Sequence, residues 1–311
     1  MKTSMTEPSP SLTLTLTRCL VGVLTLIGFA ALTPPAVGEE VEDWKTKAVS
    51  PVANPLFFED PHIRSEIRPI FAYHRIGDDL LDGAGLVGAS EGDARYYALQ
   101  LRWAVNDRLA IIATKDGYIE TDFKNAPALS NDGWADIAAG LKYALIKSEE
   151  HQFVLTPGLK FEIPTGNTRV FQGNGSGEWD VFLSSVKNWG DFRALGSAGA
   201  RIPNDFSEET ASAHYSLQFD YHLCRWFIPF ITASGMTVLS EADQLPLDVE
   251  GFDLLNFGSS NAEGVTQVIG GVGFRSRLHE HVDLGLAYEK SLTTPNGLFD
   301  DRFTVDLVFH F

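Results

Sequence analysis

Cysteine is nearly missing from this chain. Its 311 residues hold two, Cys19 and Cys224. Only Cys224 lies past an amino-terminal leader, so an exported form has no internal disulfide and must be held by strand pairing and packing. Long apolar runs are missing as well. After residues 20–32 no stretch approaches the roughly 20 apolar residues a spanning helix needs, which excludes a helical membrane protein. Basic residues are scarce, with 24 Lys and Arg against 41 Asp and Glu and a net charge of -17. That balance argues against nucleic acid or an anionic surface as partner. No glycine loop leads into a helix, as a phosphate loop must, and no cofactor is expected.

What the chain does have starts with its leader. Leu20 to Leu32 follows Lys2 and Arg18 and runs into Pro34, Pro35 and then Ala36-Val37-Gly38, a small-x-small cleavage pattern. Residues 1–38 read as a secretory signal peptide. Cys19 precedes the apolar run, so a lipoprotein anchor is not expected. Residues 39–66 show no clean period and are punctuated by Pro51, Pro55 and Pro61, which suits an irregular periplasmic arm or plug. Residues 67–311 form the remaining domain, and there alternation begins and barely stops.

The last strand is the clearest example. Phe303, Val305, Leu307, Phe309 and Phe311 make one apolar face, opposite Arg302, Thr304, Asp306 and His310. The same period marks 96–105, 135–145, 152–163, 211–223 and 282–289, and more weakly 67–76, 109–119, 178–188, 192–202, 226–237 and 265–277. Twelve strands result. Short connections after Val105, Asn188, His222 and Arg277 alternate with long ones at 77–93, 120–132, 164–177, 203–210, 239–264 and 293–301. Even strand number with short turns at one end and long loops at the other is the bacterial outer-membrane pattern. The expected fold is therefore all-β, an up-and-down antiparallel transmembrane β-barrel of about 12 strands. Trp103, Trp189 and Trp226 beside the turns, and Trp134 and Trp179 beside the loops, fit two interfacial belts. The carboxyl-terminal strand ending in Phe311 is read as the segment offered to the barrel-assembly machinery.

With the polar face as lumen, Arg68, Arg102, Lys142, Lys160, Arg193, Arg201 and Arg275 face Asp136, Glu162, Asp180, Asp220, Asp283, Glu289 and Asp306. Equal numbers of each sign suit cross-strand ion pairing in a narrow barrel. Of these, Arg102, Asp136, Lys142, Lys160, Glu162, Asp220 and Glu289 are the candidates for a transport pathway. Excess acid collects in two loops, with Asp78, Asp79 and Asp82 in one and Glu241, Asp243, Asp248 and Glu250 in the other. They are expected to form an acidic extracellular rim that recruits cations or bridges through divalent ions to lipopolysaccharide, or that is simply solvated. No metal site proper is expected: His279-Glu280-His281 reads as a solvated turn. Ser212, His214 and Ser216 share a face with Asp220, yet alternate strand positions are about 7 Å apart, loose for a nucleophile and its base. An enzyme is not expected.

Phe161-Glu162-Ile163-Pro164-Thr165-Gly166-Asn167, followed by Gly173-Asn174-Gly175-Ser176-Gly177-Glu178-Trp179-Asp180, resembles the outer-membrane family named for the MetA pathway of phenol degradation. The arm from Ser50-Pro51-Val52 through Asn54-Pro55 to Phe57-Phe58-Glu59-Asp60-Pro61 is similar to a transporter subgroup of it. The resemblance implies passage of small solutes, aromatic or apolar ones included, across the outer membrane. At Phe230-Ile231-Thr232 the chain departs from the family pattern, which has an acidic residue there. The functional expectation is a channel for passive or facilitated uptake of small solutes. The alternative is a structural or surface-adhesive barrel with a closed lumen, whose acidic loops are the working part.

Overall fold

A strand in hydrocarbon can leave no backbone N–H or C=O unpaired, so a sheet that spans a membrane must close on itself. The computed structural model, which describes residues 44–82, 85, 91–294 and 298–311, shows that closure. The expected leader, residues 1–38, and the start of the arm lie outside the described residues.

The strands in chain order are β1 Glu66–Ile76, β2 Gly92–Ala104, β3 Leu109–Lys115, β4 Tyr118–Phe123, β5 Asp132–Trp134, β6 Ile137–Tyr143, β7 Ile146–Ser148 and β8 Phe153–Ile163. Then follow β9 Glu178–Trp189, β10 Phe192–Pro203, β11 Ala211–Tyr221, β12 Ile228–Ser240, β13 Thr266–His279, β14 Val282–Ser291 and β15 Asp301–His310. Every pairing is antiparallel. β1 pairs with β2 on one side and with β15 on the other, so the sheet has no free edge. Short strands combine into single staves: β3 with β4 against β2, and β5 with β6 and β7 between their neighbours. Twelve staves close the barrel, as the alternation predicts.

The break between β3 and β4 has a local cause. Gly117 adopts a φ of +117°, and a side chain there would collide with the Tyr97 carbonyl. Pairing resumes beyond it and carries β4 to Phe123, further than the expected loop start at 120, with Glu120 opposite Arg95 and their charged groups 3.7 Å apart. Odd-numbered positions of β2 such as Tyr97, Leu99, Leu101 and Trp103 are exposed, whereas Gln100 and Arg102 are buried. Trp103, Trp134, Trp179, Trp189 and Trp226 are all exposed at the two ends, which places them in the interfaces rather than in a core. Trp44, in the arm, is buried.

Close approach of strands sets one testable limit. At Gly140 of β6, opposite Lys160 of β8, an added Cβ would strike the Leu159 carbonyl, which is backbone and cannot yield. Gly140→Ala is expected to destabilise the barrel by about 1–3 kcal/mol, read as a lower urea midpoint of the heat-modifiable folded band. Gly196→Ala on β10 should leave that midpoint unmoved, since its nearest neighbours stand at ordinary distances of 3.6 and 3.9 Å.

Candidate functional site: a plugged lumen

Proline carries no N–H, so a chain rich in it presents carbonyls without the matching donors. The arm uses this. It enters from the end carrying the short turns, where Trp44 Nε1 donates to Glu149 (3.0 Å) and Lys47 Nζ to Asp191 (2.9 Å). It then rises inside the barrel and turns at Asn54, whose φ of +47° suits asparagine better than most residues. From there it descends to Glu66. Lumen side chains grip its carbonyls: Arg193 donates to Val49 (2.7 Å), Arg275 to Ser50 (2.7 Å) and Arg68 to Pro51 (2.8 Å). Gln100 reaches Pro55 (2.8 Å), Lys160 reaches Leu56 (3.0 Å), and Lys142 reaches Asp60 (2.6 Å).

One side chain of the arm is gripped as firmly. Glu59 accepts from Arg102 Nε and Nη2 at 2.8 and 2.6 Å and from Lys142 Nζ at 2.7 Å. Charge-assisted, two-pronged contacts of this kind are strong and geometrically selective. The remaining lumen charges pair across the wall. Asp306 takes Arg68 (2.6 Å) and Arg275 (2.8 Å), and Asp220 takes Arg193 (2.8 Å). Asp180 takes Lys160 (2.8 Å) and His214 (3.0 Å).

The sequence-derived candidates therefore fall into three groups. Arg102, Lys142 and Lys160 hold the arm, and Glu289 joins them by accepting from the Asn54 N–H (3.0 Å) while pairing with Arg302 (3.0 Å). Glu162 and Asp220 pair with wall cations, Lys115 and Arg193. Asp136 points inward but accepts backbone N–H groups of Gly166 (2.7 Å) and Gly173 (2.9 Å), so it fastens the loop over 164–177. Arg302, Glu66 and Glu178 were absent from the predicted lumen set although their strand positions have the right parity, whereas Lys115 has the wrong parity and turns inward only through a bulge after Ala113. Glu59 was missed because the arm has no period to read.

The expected rim needs correction. Asp78, Asp82, Glu241 and Asp243 are exposed and Asp79 and Asp248 half-buried, but Glu250 is only 1% exposed. Its carboxylate accepts from the N–H groups of Phe257 (2.8 Å) and Ser259 (2.9 Å). The reason is the loop itself. Leu247, Val249, Phe252, Leu254, Leu255 and Phe257 fold it back into the barrel, where they cluster with Leu56 and Phe57 of the arm and with Tyr96, Ile119 and Phe299. Asp253 is carried inside with them and pairs with Arg302 at 2.8 Å. Among the described residues no group of three or more His, Cys, Asp or Glu is arranged to hold a metal ion.

The lumen is thus layered, polar towards the periplasm and apolar towards the outside. Between arm and loop, beside Lys115, Glu162 and Asp253, lies a cavity of about 10 Å³, room for one water molecule. At the periplasmic mouth a wider vestibule of about 750 Å³ is lined by Lys47, Arg64, His222, Arg225, Arg277 and His310. His214, which shares a face with Ser212 and Ser216, stacks on Phe57 (4.4 Å). The Ser216 hydroxyl meets Ser234 (2.9 Å) and Asn54 (2.9 Å), not the imidazole.

Glu209, in the loop between β10 and β11, is 6% exposed and its Oε2 has no hydrogen-bond partner. Burial, reinforced by the nearby Glu178 charge, raises its pKa from 4.5 to about 8. The folded loop keeps the proton while the unfolded loop loses it. Its stabilisation is complete below pH 4.5 and is lost as pH rises towards 8. Proteolysis of the loop should accelerate over that interval, and Glu209→Gln should abolish the pH dependence.

No protein-family model matches the chain, so the resemblance to the MetA-pathway family rests on its short motifs in the turns and the arm. No curated protein matches it either. Among solved structures it is similar to an outer membrane channel from Pseudomonas putida F1, with a TM-score of 0.57 and 16% identity over 85% of this chain and 100% of that one. It is more loosely similar to the NanC porin (TM-score 0.47, 7% identity, 79% of this chain and 100% of that one). Outer membrane phospholipase A from Escherichia coli is looser still (TM-score 0.36, 11% identity, 80% and 97%). The first likeness is one of fold, and the other two carry no argument. Closed twelve-stave architecture, an apolar outer belt and two aromatic girdles together make this chain a β-barrel of the bacterial outer membrane.

Proposed function

We propose that the barrel is a channel for small solutes, closed in this structure by its own arm and opened when the arm withdraws towards the periplasm. One observation carries the reading: lumen cations hold the arm through backbone carbonyls and one carboxylate, contacts that water can replace one by one. In this reading residues 39–66 are a plug following a cleaved leader over 1–38, and the protein is not an enzyme. Arg102, Lys142 and Lys160 serve first to hold the plug and then, once it leaves, to line the pathway. The apolar upper layer around Tyr96, Ile119 and Phe299 is a surface that aromatic or apolar solutes can cross. Single-channel recording of the mature barrel in a planar bilayer, with and without residues 39–62, tests this.

A second reading has an observation of its own. Leu56 and Phe57 pack into one apolar cluster with the inward-folded loop, a contact that resists withdrawal. A structural or adhesive barrel with a permanently closed lumen would use it. Silence from both forms, each shown to be folded, would favour that reading and end the first.

A further inference from the structure

The lipid-facing wall is not evenly clothed. Outward positions turn small on β10 and β12, where Ala194, Gly196 and Ala233 floor a groove of about 260 Å³ walled by Phe153, Tyr215 and Leu217. Register sets these residues on one face: Gly196 lies between Ser185 and Leu217, and Leu217 beside Ala233. A dip in an apolar wall would be filled by bulk hydrocarbon, were it not for two polar side chains on β9.

Ser185 is 8% exposed and its hydroxyl makes no side-chain hydrogen bond among the described residues. It stands 3.6 Å from where a Cβ on Gly196 would lie, aimed across the groove floor. Two positions nearer the periplasm comes Lys187, 5% exposed, in register with Phe153 and Ala194. Its ammonium donates to the His151 carbonyl in the periplasmic turn and lies 5.7 Å from the Trp189 ring centroid. Among the described strand residues, the other outward acids and bases, such as Arg75, Asp93, Arg95 and Lys290, lie at the extracellular margin. A cation held by a carbonyl but by no counter-ion, and a hydroxyl without a partner, are costly against lipid. One ligand chemistry relieves both: an anionic phosphate at the depth of Lys187, with an ester carbonyl deeper by about the 7 Å between alternate strand positions.

We propose that this groove binds one phospholipid of the periplasmic leaflet. Its phosphate sits at Lys187, an ester carbonyl accepts from Ser185, and an acyl chain crosses Gly196 and Ala233. The site is independent of whether the lumen conducts.

The test is native mass spectrometry of the mature, full-length barrel titrated with dioleoyl phosphatidylethanolamine. Wild type should keep a single lipid adduct through delipidation. Gly196→Leu fills the groove from a position whose Cβ meets nothing closer than 3.6 Å, and should abolish that adduct while heat-modifiability shows an intact barrel. Ser185→Ala and Lys187→Gln should each weaken retention, Lys187→Gln by about tenfold. Equal adducts in wild type and all three variants would overturn the proposal, as annular lipid would behave so. A dimer mass lost on Gly196→Leu would also overturn it and give the groove to a second copy of the chain, and a detergent adduct alone would overturn it as well. Should Gly196→Leu fail to fold, unchanged retention in Ser185→Ala and Lys187→Gln still refutes the site.

Discussion

Deletion of residues 39–62 is expected to turn a nearly silent barrel into one with steady unitary conductance. The cut removes the hairpin and its carbonyls but spares Ser65, whose carbonyl accepts from Phe311 (3.2 Å) and whose hydroxyl accepts from Ala104 (3.1 Å), so the β1 seam stays pinned. Lumen cations that lose a carbonyl retain a carboxylate: Arg68 and Arg275 keep Asp306, Arg193 keeps Asp220 and Lys160 keeps Asp180. The wall therefore survives the loss. Glu59 and Asp60 leave with the arm, and Lys142 is then without the carboxylate it held. The opened lumen gains positive charge, and reversal potentials across a salt gradient should show a preference for anions. A folded but silent truncation would refute the gating role of the arm.

Glu59→Gln should produce the second large effect without any deletion. An uncharged amide cannot balance two buried cations, and breaking a buried ion pair by removing one partner costs about 3–5 kcal/mol. Arg102 has a fallback in Glu66 at 3.2 Å, whereas Lys142 is left with the Asp60 carbonyl. The penalty falls on the plugged state alone, because with the arm withdrawn both cations meet water. The equilibrium between plugged and open should shift by about 100-fold or more, at 1.4 kcal/mol for each factor of ten. Bursts of conductance in the full-length variant, with faster proteolysis of the arm from the periplasmic side, are the expected readouts. Wild-type behaviour in both would mean that Glu59 is not the latch.

Much of this architecture is written in a period of two. Gln100 and Arg102 alternate with Leu99, Leu101 and Trp103, and a strand with one face in lipid allows no other register. Parity alone also places Arg68, Arg193, Arg275 and Asp306 inside. What parity cannot say is which inward group meets which, because partners such as Arg193 and Asp220 lie on different staves, and the vertical offset between staves has no sequence signature. The arm and the loop between β12 and β13 have no period, so Glu59, Glu250 and Asp253 could not be assigned a side. The loop did hold a signal of another kind. Leu247, Val249, Phe252, Leu254, Leu255 and Phe257 are too apolar for a solvated crown, whatever the acidity at Glu250 and Asp253 suggests.

Because the arm runs directly into β1 at Glu66, its turn at Asn54 is on a leash of twelve residues, no more than about 40 Å when fully extended. A released plug is therefore never diluted. Tethered at this length it competes for its own seat at an effective concentration on the order of millimolar. Reclosure is then a first-order event, indifferent to how many barrels crowd the membrane. A free peptide copied from the arm would have to reach comparable concentration in the periplasm before it could hold the channel shut, or keep the native plug out.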